Sequence, residues 1–151
     1  MSIDDVAHQS GVYFDDGYYC AESVLLAVCD YYGIQSRWIP KIATGFCSGM
    51  ARTGGVCGAF TGAVMAVNLV TGREAPTESL DKNYRAVNQL TDLFKARFGS
   101  TGCPELIGCQ LNTREGQRQF RKNNLIVRCR QYSVEAAAMA TQVISAMVEK
   151  K

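Results

Sequence analysis

The sequence is poor in the residues and motifs on which many common functional sites depend. Its 151 residues include one histidine, His8, one tryptophan and three prolines. It contains no C-x-x-C-H haem attachment, no C-x-x-C pair of the thioredoxin type and no G-K-[ST] phosphate-binding loop. A covalently attached haem, a thioredoxin-like dithiol and a P-loop nucleotide site are therefore not expected.

Long apolar segments and a strong charge imbalance are also missing. The longest apolar stretch, residues 56–70, is interrupted by Gly58, Thr61 and Asn68, whereas a membrane helix needs about 20 apolar residues. The N-terminus is polar and acidic, unlike a secretory signal. The net charge of +2 is too small to favour nucleic acid as a partner. These features predict a cytoplasmic protein that neither inserts into a membrane nor binds nucleic acid.

Cysteine, by contrast, is abundant, with seven residues in the chain. In a reducing cytosol cysteines are free, metal-bound or redox-active, and an odd number argues against a complete disulfide framework. The cysteines at or near predicted helix starts are Cys20, Cys57, Cys103 and Cys129. Backbone N–H groups at a helix N-terminus stabilise thiolate, the form that binds metals and attacks disulfides. The less regularly placed cysteines are Cys29, Cys47 and Cys109.

Glycines separate a series of helical patterns, and strand patterns are scarce. Helices are predicted over residues 2–11, 18–32, 36–46, 57–70 and 125–149, with another before Gly99 and a short turn after Cys103. A glycine-rich loop at residues 47–55 precedes the helix at 57–70, in which Gly58 and Gly62 would let a second backbone approach closely. The sequence therefore predicts an all-α, single-domain bundle of about five to seven helices over residues 1–151.

The four regularly placed cysteines belong to a longer pattern. Residues 57–62 read CGAFTG, a CGAxxG core, and residues 17–24 before it read GYYCAESV. Residues 103–108 read CPELIG, and a lone cysteine then leads into an alanine-rich helix. Over about residues 14–140 this order and spacing resemble the redox-active proteins named for a C…GCAxxG…C…C pattern. The resemblance implies a small helical protein whose family cysteines are Cys20, Cys57, Cys103 and Cys129.

The first functional hypothesis is a metal centre. The family also resembles part of the split-Soret-type cytochromes, which carry an iron–sulfur centre, and this resemblance implies an iron–sulfur cluster. The ligands would be Cys20, Cys57, Cys103 and Cys129, used for electron transfer or redox sensing, with helix dipoles offsetting the negative charge of the cluster. Zinc is less favoured, because structural zinc sites usually use two local ligand pairs. The four sulfurs would converge near residues 49–55, which would control access to them.

Two further hypotheses stay open at this point. In one, the protein is a thiol–disulfide oxidoreductase with Cys57 as the nucleophile, its pKa lowered by the helix terminus and by Arg52. Cys103 or Cys20 would then be the resolving residue. In the other, the protein is a helical structural or interaction protein whose cysteines are inert core residues.

A basic segment lies before and within the start of the last helix. Its cations, set against the single acid Glu115, are Arg114, Arg118, Arg121, Lys122, Arg128 and Arg130. Such a segment is either a solvated face or, as the functional interpretation, the docking surface for an acidic redox partner at residues 114–130.

Overall fold

Helices make up the regular secondary structure of residues 1–148, the part of the chain described by the structure, which is a computed structural model. Eight α-helical segments follow one another: α1 Ile3–Asp15, α2 Cys20–Tyr32, α3 Cys47–Arg52, α4 Gly58–Thr71, α5 Asp81–Phe98, α6 Cys103–Ile107, α7 Arg114–Lys122 and α8 Ile126–Val148. Within the same residues, strand pairing is limited to one isolated antiparallel bridge, between Val56 and Gly102. The prediction of an all-α fold is confirmed.

Helix α1 begins at a capping box and runs further than predicted. The Ser2 hydroxyl accepts the Asp5 N–H at 3.2 Å, and the Asp5 carboxylate accepts the Ser2 N–H at 2.7 Å. Gly11, the predicted end, is a buried helical residue instead. A Cβ atom there would stand 2.7 Å from Nη2 of Arg130, which binds Asp15 at 2.8 Å. Gly11 therefore makes room for an arginine of α8 rather than ending the helix.

The core forms where α1, α2, α4 and α5 pack around α8. Its largest fully buried side chains include Leu25 of α2, Phe94 of α5 and Ile144 of α8. Helices α2 and α4 approach each other closely at Gly62, where a Cβ atom would stand 2.6 Å from the carbonyl oxygen of Ala21. The prediction that small residues on α4 admit a second backbone is confirmed at this position.

The third predicted helix, over residues 36–46, is wrong in its first half. Residues 37–40 form turns, and only Lys41–Phe46 is helical, as a 3-10 helix with Pro40 at its N-cap. A proline disfavours helical geometry at the residue before it and has no N–H to donate. The first i→i−3 hydrogen bond of the 3-10 helix is therefore accepted by Pro40, whose carbonyl binds the Ala43 N–H at 2.8 Å.

The segment predicted as a glycine-rich loop contains a left-handed helical turn. All of residues 48–52 have φ between 56° and 67°, although four of the five are not glycine. Each non-glycine residue in this conformation costs about 1–2 kcal/mol, so surrounding contacts must hold it. One such contact is the Gly55 N–H, which donates to the Gly49 carbonyl at 2.9 Å. The segment is thus an ordered turn, which raises the number of helical segments above the predicted range.

The last helix, predicted over residues 125–149, runs from Ile126 to Val148 within the described part of the chain. The predicted end at Glu149 lies outside the residues that the structure describes. None of the helices found in residues 1–148 has both the length and the hydropathy required to cross a bilayer.

Candidate functional site

Four cysteines from four separate helices line one cavity, and they are Cys20, Cys57, Cys103 and Cys129. The cavity has a volume of about 270 Å³. Much of the rest of its wall is apolar or aromatic, including Phe14, Tyr19, Leu106, Ile107, Phe120 and Tyr132. The structure thus brings together the four residues that the sequence analysis selected, while their chemical role stays a prediction.

Cys57 and Cys103 are held side by side by backbone pairing. The Cys57 N–H donates to the carbonyl of Thr101 at 2.7 Å, and the Cys103 N–H donates to the carbonyl of Gly55 at 2.9 Å. Cys57 is the N-cap of α4, as predicted. Cys103 is the first residue of α6 rather than its cap, a position taken by Gly102. The two thiols therefore flank the antiparallel bridge described above.

The other two cavity cysteines come from the first turns of longer helices. Cys20 is the first residue of α2 and is buried. Cys129 lies in the first turn of α8 and is partly buried. It packs against the main core, which includes residues of α4, and against the smaller apolar cluster at α6. Helix α8 therefore links the sulfur site to the main core.

The left-handed turn forms one wall of the cavity through Ser48, Gly49 and Arg52. Gly49 is buried and lies against Cys103, because a Cβ atom at Gly49 would stand 2.6 Å from Cβ and 2.9 Å from Sγ of that residue. The turn and the cysteine are therefore packed together, while control of access to the sulfurs by residues 49–55 stays a prediction.

Burial raises the pKa of three cavity thiols: to about 11 at Cys57, about 11 at Cys103 and about 12 at Cys129. At Cys57 the amides of Phe60 and Ala59 oppose this increase in pKa, although no hydrogen bond of ordinary geometry caps α4 through that side chain. The expected decrease in the Cys57 pKa is wrong, because lost hydration outweighs the helix N-terminus. These thiols are protonated at neutral pH and must release protons to bind a metal.

Two arginines give the cavity a positive wall. Arg52 from the left-handed turn and Arg121 from α7 both line it. Neither makes an ion pair with any residue between 1 and 148, and no acidic side chain from that range is part of the lining. The cavity therefore favours an occupant that carries negative charge.

Cysteine thiols are suitable ligands for a metal centre, but the four side chains do not converge on one point. Across residues 1–148, no three side chains of His, Cys, Asp or Glu are placed so that they could hold a metal ion as they stand. Four thiols around one cavity nevertheless match the Cys₄ ligation of iron–sulfur clusters. As they stand, the four thiols line the cavity without forming a closed site for a single ion.

Comparison with known proteins places the chain in a family. A family model described as "Putative redox-active protein (C_GCAxxG_C_C)" matches residues 18–143. The chain belongs to this family. All four cavity cysteines lie inside the matched region. No curated protein and no solved structure gives a significant match.

The three cysteines outside the family pattern occupy different environments. Cys29 is buried in the main core and does not line the cavity. Cys109 packs with Cys103 and Ile107 in a smaller apolar cluster. Neither residue is part of the cavity wall.

Cys47 is the residue that sequence reasoning missed. A hydrogen bond in which the Cys47 thiol donates to the side chain of Cys20, together with burial, raises the pKa of Cys47. Both residues also pack against the same position of α4, Gly58. The position of Cys47 directly before the left-handed turn was visible in the sequence. Its proximity to Cys20 was not, because the 26 residues between them include a helix and several turns.

Proposed function

We propose that this protein is an electron carrier or redox sensor whose four family cysteines hold an iron–sulfur cluster. The observation that carries the proposal is the arrangement of Cys20, Cys57, Cys103 and Cys129 around one cavity. Membership of a redox-active family supports it independently. When bound, the cluster would supply one-electron chemistry, while the chain would provide the ligands, the apolar wall and the compensating charge.

The size of the cavity favours a cluster over a single ion. A zinc ion needs four ligand atoms within about 2.3 Å of one point, and no such group is formed within residues 1–148. In a cluster, different iron atoms bind different cysteines, so the sulfurs stand further apart around a larger occupant. A cavity of about 270 Å³ with the four cysteines in its wall agrees with the larger occupant.

The charge at the cavity supports the same proposal. A cluster bound by four thiolates is negatively charged, and Arg52 and Arg121 supply unpaired positive charge beside it. Both guanidinium groups belong to residues in the wall of the cavity that the four cysteines line.

Metal and sulfide analysis of protein purified without oxygen tests the proposal directly. The wild-type protein should contain iron and acid-labile sulfide and should absorb visible light. Cys57→Ser removes one cavity sulfur and should lose all three signals. Cys29→Ser removes a buried thiol outside the cavity and should keep them.

Two results would count against the cluster. One is a colourless wild-type protein that contains no iron even when it is prepared and reconstituted without oxygen. The other is equal iron content in the Cys57→Ser and Cys29→Ser variants, because the cavity would then have no special role.

A dithiol function is the second candidate, supported by the pairing of Cys57 with Cys103. The backbone hydrogen bonds at Thr101 and Gly55 hold these two residues on adjacent segments. Under this hypothesis Cys57 is the nucleophile and Cys103 the resolving thiol, with Cys20 as the other resolving candidate. A metal-free protein that forms a Cys57–Cys103 disulfide, reversible by dithiothreitol, would favour this function over the cluster.

We further propose that an acidic redox partner docks on the basic segment at residues 114–130. Two of its cations are paired, Arg118 with Glu115 at 2.6 Å and Arg130 with Asp15 at 2.8 Å. Other cations of the segment have no ion pair within residues 1–148, and these include Arg114, Arg121 and Lys122. Because Arg121 also lines the cavity, a partner bound here would lie next to the sulfurs.

The anion dithionite can report on this surface in place of the partner. Its rate of reduction of the metal centre should fall in Arg121→Gln, and the remaining rate should depend less on salt. Lys95→Gln removes an exposed cation of α5 and serves as the control. Equal rates and equal salt dependence in the two variants would contradict the docking proposal.

A further inference from the structure

Two buried cysteines meet at one glycine of α4. A Cβ atom at Gly58 would contact Sγ of Cys20 and would stand 3.1 Å from Cα of Cys47. Each of the two cysteines is only 6% exposed, and both are free thiols in the structure. The missing side chain at Gly58 therefore lets the first residues of α2 and α3 approach each other with a thiol on each.

The thiol of Cys47 is directed toward the first turn of α2, which begins with Cys20. Its Sγ lies 3.8 Å from Oε1 of Glu22 and 3.9 Å from the carbonyl oxygen of Ala43. The other oxygen of Glu22 accepts the hydroxyl of Thr44 at 2.9 Å. Because Glu22 belongs to the same helical turn as Cys20, these contacts hold the Cys47 sulfur beside it.

The two cysteines are equally buried but differ in whether they can be reached from the cavity. Cys20 lines the cavity, whereas Cys47 is not part of the cavity wall. A small oxidant that enters the cavity would therefore meet Cys20 first, before Cys47, which packs against the same glycine. This order is the one required of an attacking thiol and its resolving partner.

We propose that Cys20 and Cys47 are a peroxide-driven disulfide pair, in which Cys20 belongs to the four-cysteine family pattern and Cys47 does not. Cys20 attacks hydrogen peroxide, so that an S–O bond forms, the O–O bond breaks and water leaves, with a sulfenic acid remaining on Cys20. Cys47 then attacks this sulfur, an S–S bond forms and a second water leaves. Two thiols are oxidised and one peroxide is reduced to two waters, so no other reactant is needed.

The disulfide would have a consequence for the cavity. A Cys20 sulfur bonded to Cys47 is no longer a free thiolate, so oxidation would remove one of the four proposed ligands. This consequence rests on the proposed function, whereas formation of the disulfide does not.

The test uses the whole chain, reduced and metal-free, in a Cys29→Ser background. In that background trypsin places each relevant thiol on its own peptide: residues 1–37 carry Cys20, residues 42–52 carry Cys47 and residues 53–73 carry Cys57. After hydrogen peroxide, alkylation and digestion, mass spectrometry should show peptide 1–37 joined to peptide 42–52 as the main linked product. A main link to peptide 53–73, or complete alkylation of Cys47, would overturn the proposal.

Matched variants make the result specific. Adding Cys47→Ser should abolish the link and leave Cys20 as an oxidised or alkylated single thiol, whereas adding Cys109→Ser should leave the link unchanged. If the Cys29→Ser protein does not fold, the same experiment on the wild-type chain remains decisive, because fragmentation of peptide 1–37 separates Cys20 from Cys29. Absence of the 1–37 to 42–52 link there would equally overturn the proposal.

Metal analysis keeps the two proposals apart. A Cys20–Cys47 link in a protein that never binds iron would support the pair and refute the cluster. Iron binding in a protein that never forms the link would do the reverse. If both hold, peroxide treatment before reconstitution should abolish iron binding in the wild-type protein, and reduction of the disulfide with dithiothreitol should restore it. Full iron binding by the peroxide-linked protein would refute the coupling of the two sites.

Discussion

Gly49 and Cys103 lie so close together that the glycine has no room for a side chain. A methyl group at Gly49 would stand 2.6 Å from Cβ and 2.9 Å from Sγ of Cys103. Gly49 also has φ of 65°, which a residue with a side chain adopts only with strain. The contact couples the left-handed turn to one of the four cavity sulfurs.

Gly49→Ala should therefore displace Cys103 and strain the turn at once. We expect the free energy of unfolding to fall by about 1–3 kcal/mol and the iron content of anaerobically prepared protein to fall with it. Urea denaturation and metal analysis measure the two effects. Gly45→Ala is the control, because Gly45 has no neighbouring atom within 4 Å of an added Cβ. Equal behaviour of the two variants would show that the Gly49–Cys103 contact is unimportant.

The close approach of α2 and α4 makes Gly62 a second position at which a side chain should destabilise the protein. Gly62→Ala would press a methyl group against the Ala21 carbonyl, 2.6 Å away, and against Cα of Ala21, 2.9 Å away. Because both contacts are to backbone, the helices must move apart, and we expect a loss of about 1–3 kcal/mol in the free energy of unfolding. Thermal or urea denaturation measures it. A variant as stable as the wild type would contradict the close packing of these helices.

The strain in the left-handed turn can be measured at Ala51, which is exposed and has φ of 56°. Ala51→Gly should raise the free energy of unfolding by about 0.5–1 kcal/mol, since glycine adopts this conformation without steric cost. Ala96→Gly is the matched control, because Ala96 is exposed in the right-handed helix α5. There the same change should lower stability by about 0.5–1 kcal/mol. Opposite signs in urea denaturation are expected, and a loss in both variants would refute the strain.

The buried thiols predict a loss of stability at alkaline pH in the reduced, metal-free protein. The pKa of Cys57 is raised from its ordinary value of 9.0 to about 11, mainly by burial. The unfolded chain therefore releases this proton first, so ionisation favours unfolding as pH rises from about 9 to about 11. In this window Cys57 should lower the free energy of unfolding by about 1.4 kcal/mol per pH unit.

Comparison with Cys57→Ala isolates the contribution of this thiol from other groups that titrate in the same range. Urea denaturation of both proteins below and above the window gives two slopes of stability against pH. The variant should have the shallower slope, and below about pH 9 the difference between the proteins should not depend on pH. Identical slopes would mean that the Cys57 thiol is not buried in its neutral form.

The helical class and the main helices could be predicted from the sequence, because they depend on local patterns. Apolar spacing and terminal glycines were enough to predict α2, α4, α5 and most of α8. The predicted boundaries were wrong where contacts with distant residues, rather than the local pattern, determined the conformation. Gly11 looked like a helix end, yet it admits the side chain of Arg130. The left-handed turn was predicted as a loop, because no local rule favours five consecutive residues with positive φ.

The sequence by itself determined which four cysteines to consider, since helix starts and the family pattern are both written in residue order. Only the tertiary structure decided that these four share one cavity, that burial raises the pKa of Cys57, and that Cys47 lies beside Cys20. Hydration and proximity depend on atoms from distant segments, here brought together by the close packing at Gly49, Gly58 and Gly62. The sequence pattern of a single segment does not predict such contacts.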